Sequence, residues 1–90
     1  MRVVWSARAQ ADVHDVFAYI ALDKPGAAEK VVARLSNVGE RLRDMPLRGR
    51  IGQAPKTREL VVTGLPYILV YEVAEDVVHI HRVVHGARER

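Results

Sequence analysis

The segment TRELVVTGLPYILVYEV, residues 57–73, decides the fold class because it predicts a β-hairpin. Two apolar runs, at residues 60–62 and 67–73, flank the sequence Thr-Gly-Leu-Pro, and glycine and proline are typical of a turn between strands. We therefore predict one strand over residues 58–63 and a second over the later apolar run. A third strand, over residues 77–84, follows after the short connection Ala-Glu-Asp.

The first half of the chain predicts one strand and two helices. Residues 2–5, RVVW, are branched and aromatic as in a strand, and Ser6 can cap the helix that follows. Apolar residues then recur at helical spacing to about Leu22, and a second such pattern runs from Pro25 to Met45, just before another proline. We predict an α+β fold in which two N-terminal helices pack on a small antiparallel sheet, in the order β-α-α-β-β-β.

The composition indicates a small folded domain without thiol chemistry. Of the 90 residues 49% are apolar and none is cysteine, so we expect a single domain over residues 1–90 with no disulfide or thiolate metal site. The N-terminus lacks the long apolar segment of a signal peptide or a membrane span, so we expect a cytoplasmic protein without membrane contact. No catalytic triad, phosphate-binding glycine loop or pair of catalytic carboxylates can be assembled, so we expect no cofactor and identify no catalytic residue.

Positive charge is concentrated in two parts of the chain, although the net charge is only +3. The first group has Asp44 as its single acidic residue and consists of Arg41, Arg43, Arg48, Arg50, Lys56 and Arg58. The second group consists of Arg82, Arg88 and Arg90. If the two groups meet, they form a cationic surface suited to nucleic acid or to an acidic protein, and the alternative is a solvated face without a partner. The charge pattern leaves both interpretations open.

Polar side chains in the hairpin have structural and functional interpretations. Tyr67 and Tyr71 point to one face of their strand, where core packing with the hydroxyl groups at the margin is favoured over contact with a target. Residues 46–55, which combine proline, glycine and arginine, predict a loop that we call the basic loop. Arg58 and Glu59 either form an ion pair that fixes the basic loop to the sheet, which we favour, or contact a binding partner.

Three histidines of the last predicted strand, His79, His81 and His85, share one face if the strand continues without a bulge. Imidazoles at positions i and i+2 can share a metal ion, but no thiolate or same-face carboxylate lies nearby, so we expect an exposed polar face and no metal site. His85 differs from the others because it stands in the sequence HGAR close to Arg88. It is the histidine that we expect to be functional.

Four short blocks together resemble the RelE/ParE superfamily, the small toxins of bacterial type II toxin–antitoxin modules. The blocks are PLRGR at 46–50, TREL at 57–60, PYILVY at 66–71 and RVVHGARE at 82–89, and the likeness covers nearly the whole chain. The ParE-like branch is the more similar one, because it commonly shows Gly-Arg, Thr-Arg-Glu-Leu, Pro-Tyr and His-Gly-x-Arg elements. The resemblance implies a cognate antitoxin, a hetero-oligomeric complex with it, and contact with operator DNA only through the antitoxin.

The superfamily contains two activities on one scaffold, and the residues favour one of them. RelE-like members cut messenger RNA on the ribosome and need cations that stabilise phosphate charge. Where the resemblance would place such cations, this chain has Glu59, Val61 and Ile68, and only Arg88 matches a cleavage-type arginine. We therefore expect a ParE-like toxin that inhibits DNA gyrase by binding rather than by catalysis.

The resemblance also implies where partners bind. The candidate target-binding residues are Arg58, Tyr67, His85, Arg88 and Arg90. We expect the antitoxin to lie as an amphipathic segment across the two helices, with apolar contacts at Val13, Phe17, Val31 and Leu35 and charged contacts at Arg41, Arg43 and Arg50. Two alternatives remain: an inactive module that only binds the antitoxin, and a ribosome-dependent endoribonuclease that uses Arg58, His85 and Arg88.

Overall fold

The computed structural model describes residues 1–87 and has the α+β fold that the sequence predicts. Its elements are β1 (Arg2–Trp5), α1 (Ala7–Ala21), α2 (Pro25–Glu40), a 3₁₀ turn (Arg41–Arg43), β2 (Arg50–Ile51), β3 (Arg58–Val61), β4 (Tyr67–Ala74) and β5 (Val77–His85). The predicted helices and the four predicted strands are all present in their predicted order.

The sheet is mixed, which corrects the expectation of a wholly antiparallel sheet. Its strand order is β1-β5-β4-β3-β2, and β1 pairs with β5 in parallel while the other pairs are antiparallel. The reason is the two-residue strand β2, which lies inside the stretch that we predicted as a loop. This strand adds one reversal of chain direction between α2 and β3, so that β5 runs in the same direction as β1.

Both helices begin near the predicted residues, but α2 is shorter than predicted. The Ser6 hydroxyl accepts the Ala9 N–H and donates to the carbonyl oxygen of His81, both at 2.9 Å, so the cap of α1 also attaches the helix to β5. Helix α2 ends at Glu40 instead of Met45. The next residues tighten into the 3₁₀ turn, which is frequent at helix ends, and only Leu42 of this turn is buried.

The core lies between the two helices and one face of the sheet. Its largest fully buried side chains include Leu35, Leu69, Tyr71 and Ile80. Helix α2 approaches β1 closely at Gly39, where an added Cβ atom would overlap the Trp5 indole. Glycine is therefore required at this position by the distance between helix and sheet.

The other face of the sheet, which we call the outer face, has no helix packed on it within residues 1–87. Because side chains alternate along strands, the residues between the core positions point to this face. The strand register places Val61, Ile68 and Val84 side by side there.

No helix in the part of the chain that the structure describes is long and apolar enough to span a membrane.

Candidate functional site

The basic loop between the 3₁₀ turn and β3 is fixed to the sheet by Tyr71. This residue is fully buried, and its hydroxyl group donates to the Pro46 carbonyl oxygen at 2.7 Å and accepts the Gly49 N–H at 2.8 Å. Burial raises the pKa of Tyr71 above its ordinary value and outweighs the opposing hydrogen bond from Gly49 and the nearby charge of Arg58. Tyr71 therefore stays a neutral phenol. It packs in the core, which is the role that the sequence favoured.

Arg58 and Glu59 each fasten the same loop, but through different partners. The Arg58 guanidinium donates to the Gly49 carbonyl oxygen at 2.8 Å, whereas the Glu59 carboxylate lies 3.3 Å from Arg50. Neighbouring strand residues point to opposite faces, which is why the two side chains diverge instead of forming the expected ion pair with each other.

Tyr67 and His85 form the aromatic part of the candidate target site. They are directly opposite each other in the β4–β5 pairing, and their rings are perpendicular with centroids 5.7 Å apart. The His85 Nδ1 atom accepts the Ala87 N–H at 3.2 Å. Arg58 lies opposite Tyr71 instead, roughly 13 Å further along the sheet, so the structure does not bring it to this pair. Arg88 and Arg90 lie outside the described residues.

A β-bulge in β5 separates the three histidines, so the condition for one shared face, a strand without a bulge, is not met. Val70 is opposite Arg82 while Tyr71 is opposite Ile80, which leaves His81 as the extra residue. His85 consequently shares the core-side face with its partner Tyr67.

The other two histidines form a small cluster on the outer face. The rings of His79 and His81 are stacked with centroids 6.4 Å apart, and His81 Nε2 lies 3.3 Å from a carboxylate oxygen of Glu72. In residues 1–87 no three histidine, aspartate or glutamate side chains are grouped so that they could hold a metal ion.

Asp12 is a residue of this region that the sequence interpretation missed. Strand β1 pairs with β5 only as far as Ile80, and beyond that point α1 lies along β5 instead. The Asp12 carboxylate accepts hydrogen bonds from the Val83 N–H and from Arg82 Nε, both at 2.9 Å, and lies 3.5 Å from Arg8. Its one sequence signal was the Arg8–Asp12 spacing of four residues on α1.

The pKa of Asp12 reflects these contacts. Burial by itself would raise the pKa of this carboxyl group, but the hydrogen bonds from Arg82 and Val83 and the charge of Arg82 outweigh it and lower the pKa below its ordinary value. Asp12 is therefore a stably ionised group that holds Arg82 in place.

A cavity of about 410 Å³ joins these residues into one site beside α1. Its lining includes Arg8, Asp12, Tyr19, Tyr67, Arg82 and His85. It combines aromatic rings, cations and a carboxylate at the end of the sheet where the described chain ends. This arrangement, which we call the Tyr67–His85 cavity, is suited to binding a polar partner surface.

The comparison with known proteins identifies the family. The profile of the family described as ParE toxin of type II toxin–antitoxin system, parDE, matches residues 3–90. The chain belongs to this family of toxins. Toxin RelE2 of Caulobacter vibrioides is 42% identical over 87 residues, which are 97% of each chain. The protein Y4kP of Sinorhizobium fredii is 39% identical over 88 residues, which are 98% of this chain and 91% of the relative.

A solved structure supports the fold of this ParE-family toxin. The chromosomal ParDE toxin–antitoxin system from P. aeruginosa contains a chain that superposes with a TM-score of 0.89, covering 94% of this chain and 95% of that one. The sequence identity is 22%, so the similarity concerns the fold alone. Membership of a toxin–antitoxin family implies a cognate antitoxin as partner.

The residues that we expected to contact the antitoxin differ in their accessibility. Leu35 is fully buried in the core, so it does not offer a contact surface, because its position on α2 faces the sheet. Val13 and Val31 are partly buried against the core, and Phe17 is exposed. A groove of about 250 Å³ between the helices is lined by Trp5, Gln10, Val13, Val32 and Ser36.

The three arginines of that expected surface also differ. Arg41 is exposed, and the Arg43 guanidinium lies 3.8 Å from Glu40. Arg50 pairs with Glu59 and so contributes to fixing the basic loop.

Proposed function

We propose that this toxin acts by binding DNA gyrase without cutting RNA, and that its antitoxin neutralises it in the cytoplasm. The observation that carries the proposal is the chemistry of the outer face. Val61, Ile68 and Val84 form an apolar row there, in which Val61 is exposed, Val84 is partly buried and Ile68 is buried. The neighbouring row runs from Arg50 through Glu59 and Val70 to Arg82, and its two guanidinium groups are engaged in ion pairs with Glu59 and Asp12. Stabilising the transition state of phosphodiester cleavage requires cations or hydrogen-bond donors at the phosphate, whereas an apolar row beside a carboxylate supplies a contact surface.

The Tyr67–His85 cavity is the part of the target surface that we assign to specific recognition. Arginine supplies much of the binding energy at protein interfaces, and this cavity combines the partly buried Arg82 and His85 with the buried ring of Tyr67. We include Arg88 and Arg90 in the proposal because they follow shortly after His85 in the sequence HGARER. Arg58 supports the surface indirectly by holding the basic loop.

A DNA supercoiling assay with purified gyrase tests this function. We expect the toxin to inhibit supercoiling and to trap DNA in a cleaved complex with gyrase, and we expect His85→Ala to weaken both effects. Lys30→Ala is the control, because Lys30 is exposed on α2 and lies outside the Tyr67–His85 cavity. Unchanged supercoiling without trapped cleavage at micromolar toxin would count heavily against gyrase as the target.

Ribosome-dependent RNA cleavage is the second candidate function. It is favoured by the relative named RelE2, at 42% identity, and by the adjacent Tyr67 and His85 rings, which could exchange protons with a substrate. Primer extension on messenger RNA after toxin induction separates the two functions. New 5′ ends linked to codons would favour cleavage, and an unchanged pattern would favour gyrase binding. A toxin that leaves cell growth unchanged without its antitoxin would instead be an inactive antitoxin-binding module.

We propose further that an amphipathic segment of the antitoxin lies across α1 and α2. The groove lined by Trp5, Val13 and Val32 would receive an apolar side chain, and the exposed Phe17 would lie beside it. Acidic antitoxin residues would meet Arg41 and Arg43, while operator DNA would be contacted through the antitoxin. The affinity should therefore fall as salt is added, and an affinity that is the same at low and high salt would contradict the charged part of this proposal.

A further inference from the structure

A second cationic depression lies between α2 and the open edge of β3, and we call it the β3-edge site. Its cavity of about 100 Å³ is lined by residues that include Arg34, Arg41, Arg48, Val38, Val61 and Thr63. An adjoining cavity of about 520 Å³ shares Arg34, Val38 and Arg41 with it. The site is separate from the Tyr67–His85 cavity, with which it shares no lining residue.

The backbone of β3 is accessible at this site because β2 is only two residues long. Strand β2 pairs with β3 at Arg58 and Glu59 and extends no further. The Val62 N–H donates to the Tyr67 carbonyl oxygen at 3.0 Å and so points towards β4. Because successive backbone groups of a strand point to alternate sides, the N–H and C=O of Val61 point to the open edge. The Val61 side chain is 51% exposed as well.

Some of the arginine side chains around this edge have no carboxylate partner within residues 1–87, so the surface carries uncompensated positive charge. Arg34 Nη2 donates to the Thr63 carbonyl oxygen at 2.8 Å, which closes the edge one step beyond Val61. Arg41 and Arg48 are exposed and, among residues 1–87, form no ion pair. A guanidinium binds carboxylate groups in a fork geometry, so this charge favours an acidic partner.

We propose that an extended acidic segment of the antitoxin adds to β3 at Val61 and places carboxylates against Arg41 and Arg48. The proposal rests on the binding of a cognate antitoxin proposed above. It adds an antitoxin contact on the sheet to the antitoxin contact on α1 and α2. An extended peptide satisfies both outward backbone groups of Val61 and covers the apolar surface of Val38 and Val61. A nucleic acid backbone would neutralise the arginines but would leave this apolar surface uncovered, which is why a peptide is the favoured occupant.

Hydrogen exchange of the Val61 amide, measured by NMR for the free toxin and for its complex with the cognate antitoxin, tests the backbone contact. We expect exchange at Val61 to slow by about tenfold or more in the complex, because the outward N–H gains an acceptor. Equal exchange in the free toxin and in the complex would overturn the proposal. If the wild-type toxin did not bind the antitoxin at all, the proposed toxin–antitoxin complex would be wrong. If the complex formed but exchange at Val61 did not change, only the contact at the β3-edge site would be wrong.

Two substitutions at Val61 form a matched pair for the same test. Val61→Pro removes the outward N–H. Because this N–H points away from β4, its loss breaks no hydrogen bond within the sheet. Val61→Thr keeps both the N–H and a branched side chain. We expect the proline variant to bind the antitoxin about tenfold more weakly and the threonine variant to bind like wild type. Thermal unfolding of both variants checks that they are folded. A folded proline variant with wild-type affinity would contradict the backbone pairing.

The charge contribution is tested by the double variant Arg41→Glu/Arg48→Glu, with Lys30→Glu as the control on the exposed surface of α2. We expect the double variant to bind the antitoxin about tenfold more weakly at low salt and the control to bind normally. A short DNA duplex serves as the second probe. If the double variant lost affinity for the duplex but kept its affinity for the antitoxin, nucleic acid would be the occupant and the proposal would be wrong.

Discussion

Replacing Asp12 by alanine tests the contact that attaches α1 to β5. Asp12 is 8% exposed, and its carboxylate accepts hydrogen bonds from the Val83 N–H and Arg82 Nε, both at 2.9 Å. A hydrogen bond to a charged group contributes about 1.5–3 kcal/mol, and the substitution leaves the buried Val83 N–H without this acceptor. Because the two contributions are not fully additive, we expect the free energy of unfolding at neutral pH to fall by about 3 kcal/mol.

Urea unfolding of the isolated toxin, followed by circular dichroism, measures this loss. Asp15→Ala is the matched control, since Asp15 is exposed on the same helix and its substitution should change the free energy of unfolding by less than about 0.5 kcal/mol. An Asp12→Ala variant that is as stable as the Asp15→Ala variant would refute the reasoning.

The same contact makes the stability depend on pH. The pKa of Asp12 is lower in the folded protein than its ordinary value, so the ionised carboxylate stabilises the fold. This contribution is fully present above the ordinary aspartate pKa of about 3.9 and is lost as the pH falls through the lowered value. Asp12→Asn cannot ionise, so the stability difference between wild type and this variant should shrink in that acidic range. A difference that stays constant with pH would contradict the assignment.

Three further substitutions test other parts of the structure by thermal or urea unfolding. Tyr71→Phe should lower the free energy of unfolding by about 1–3 kcal/mol, because the buried Gly49 N–H loses its acceptor, and wild-type stability would contradict the role given to the hydroxyl group. Gly39→Ala should destabilise by about 1–3 kcal/mol through overlap with the Trp5 ring, and an unchanged stability would show that helix and sheet are less closely packed. Arg43→Ala removes an exposed ion pair at 3.8 Å and should change the stability by less than about 0.5 kcal/mol, so a larger loss would refute its surface role.

Much of the fold could be predicted from the sequence because its signals are local. Helical periodicity, the Ser6 cap and the glycine and proline of the hairpin turn depend on neighbouring residues, and they located both helices and four strands. The direction of β1 could not be predicted in the same way. It depends on strand β2, whose two residues lie in a loop-like sequence and pair with β3.

The candidate site was predictable only where its residues were neighbours in one hairpin. Tyr67 and His85 meet because β4 and β5 pair directly. The bulge that turns His85 away from His79 and His81 has no sequence signal that we could use, and it lies where Ser6 and Asp12 form hydrogen bonds to the backbone of β5. Asp12 and Arg82 are 70 residues apart, so their contact required the packing of α1 on the sheet to be known.

Direct binding of purified gyrase to the purified toxin, measured together with antitoxin competition, tests the central claim most directly. The account predicts saturable binding of gyrase that His85→Ala weakens, that Lys30→Ala leaves unchanged and that added antitoxin abolishes. No binding of gyrase by a folded toxin that cuts messenger RNA on the ribosome would contradict it.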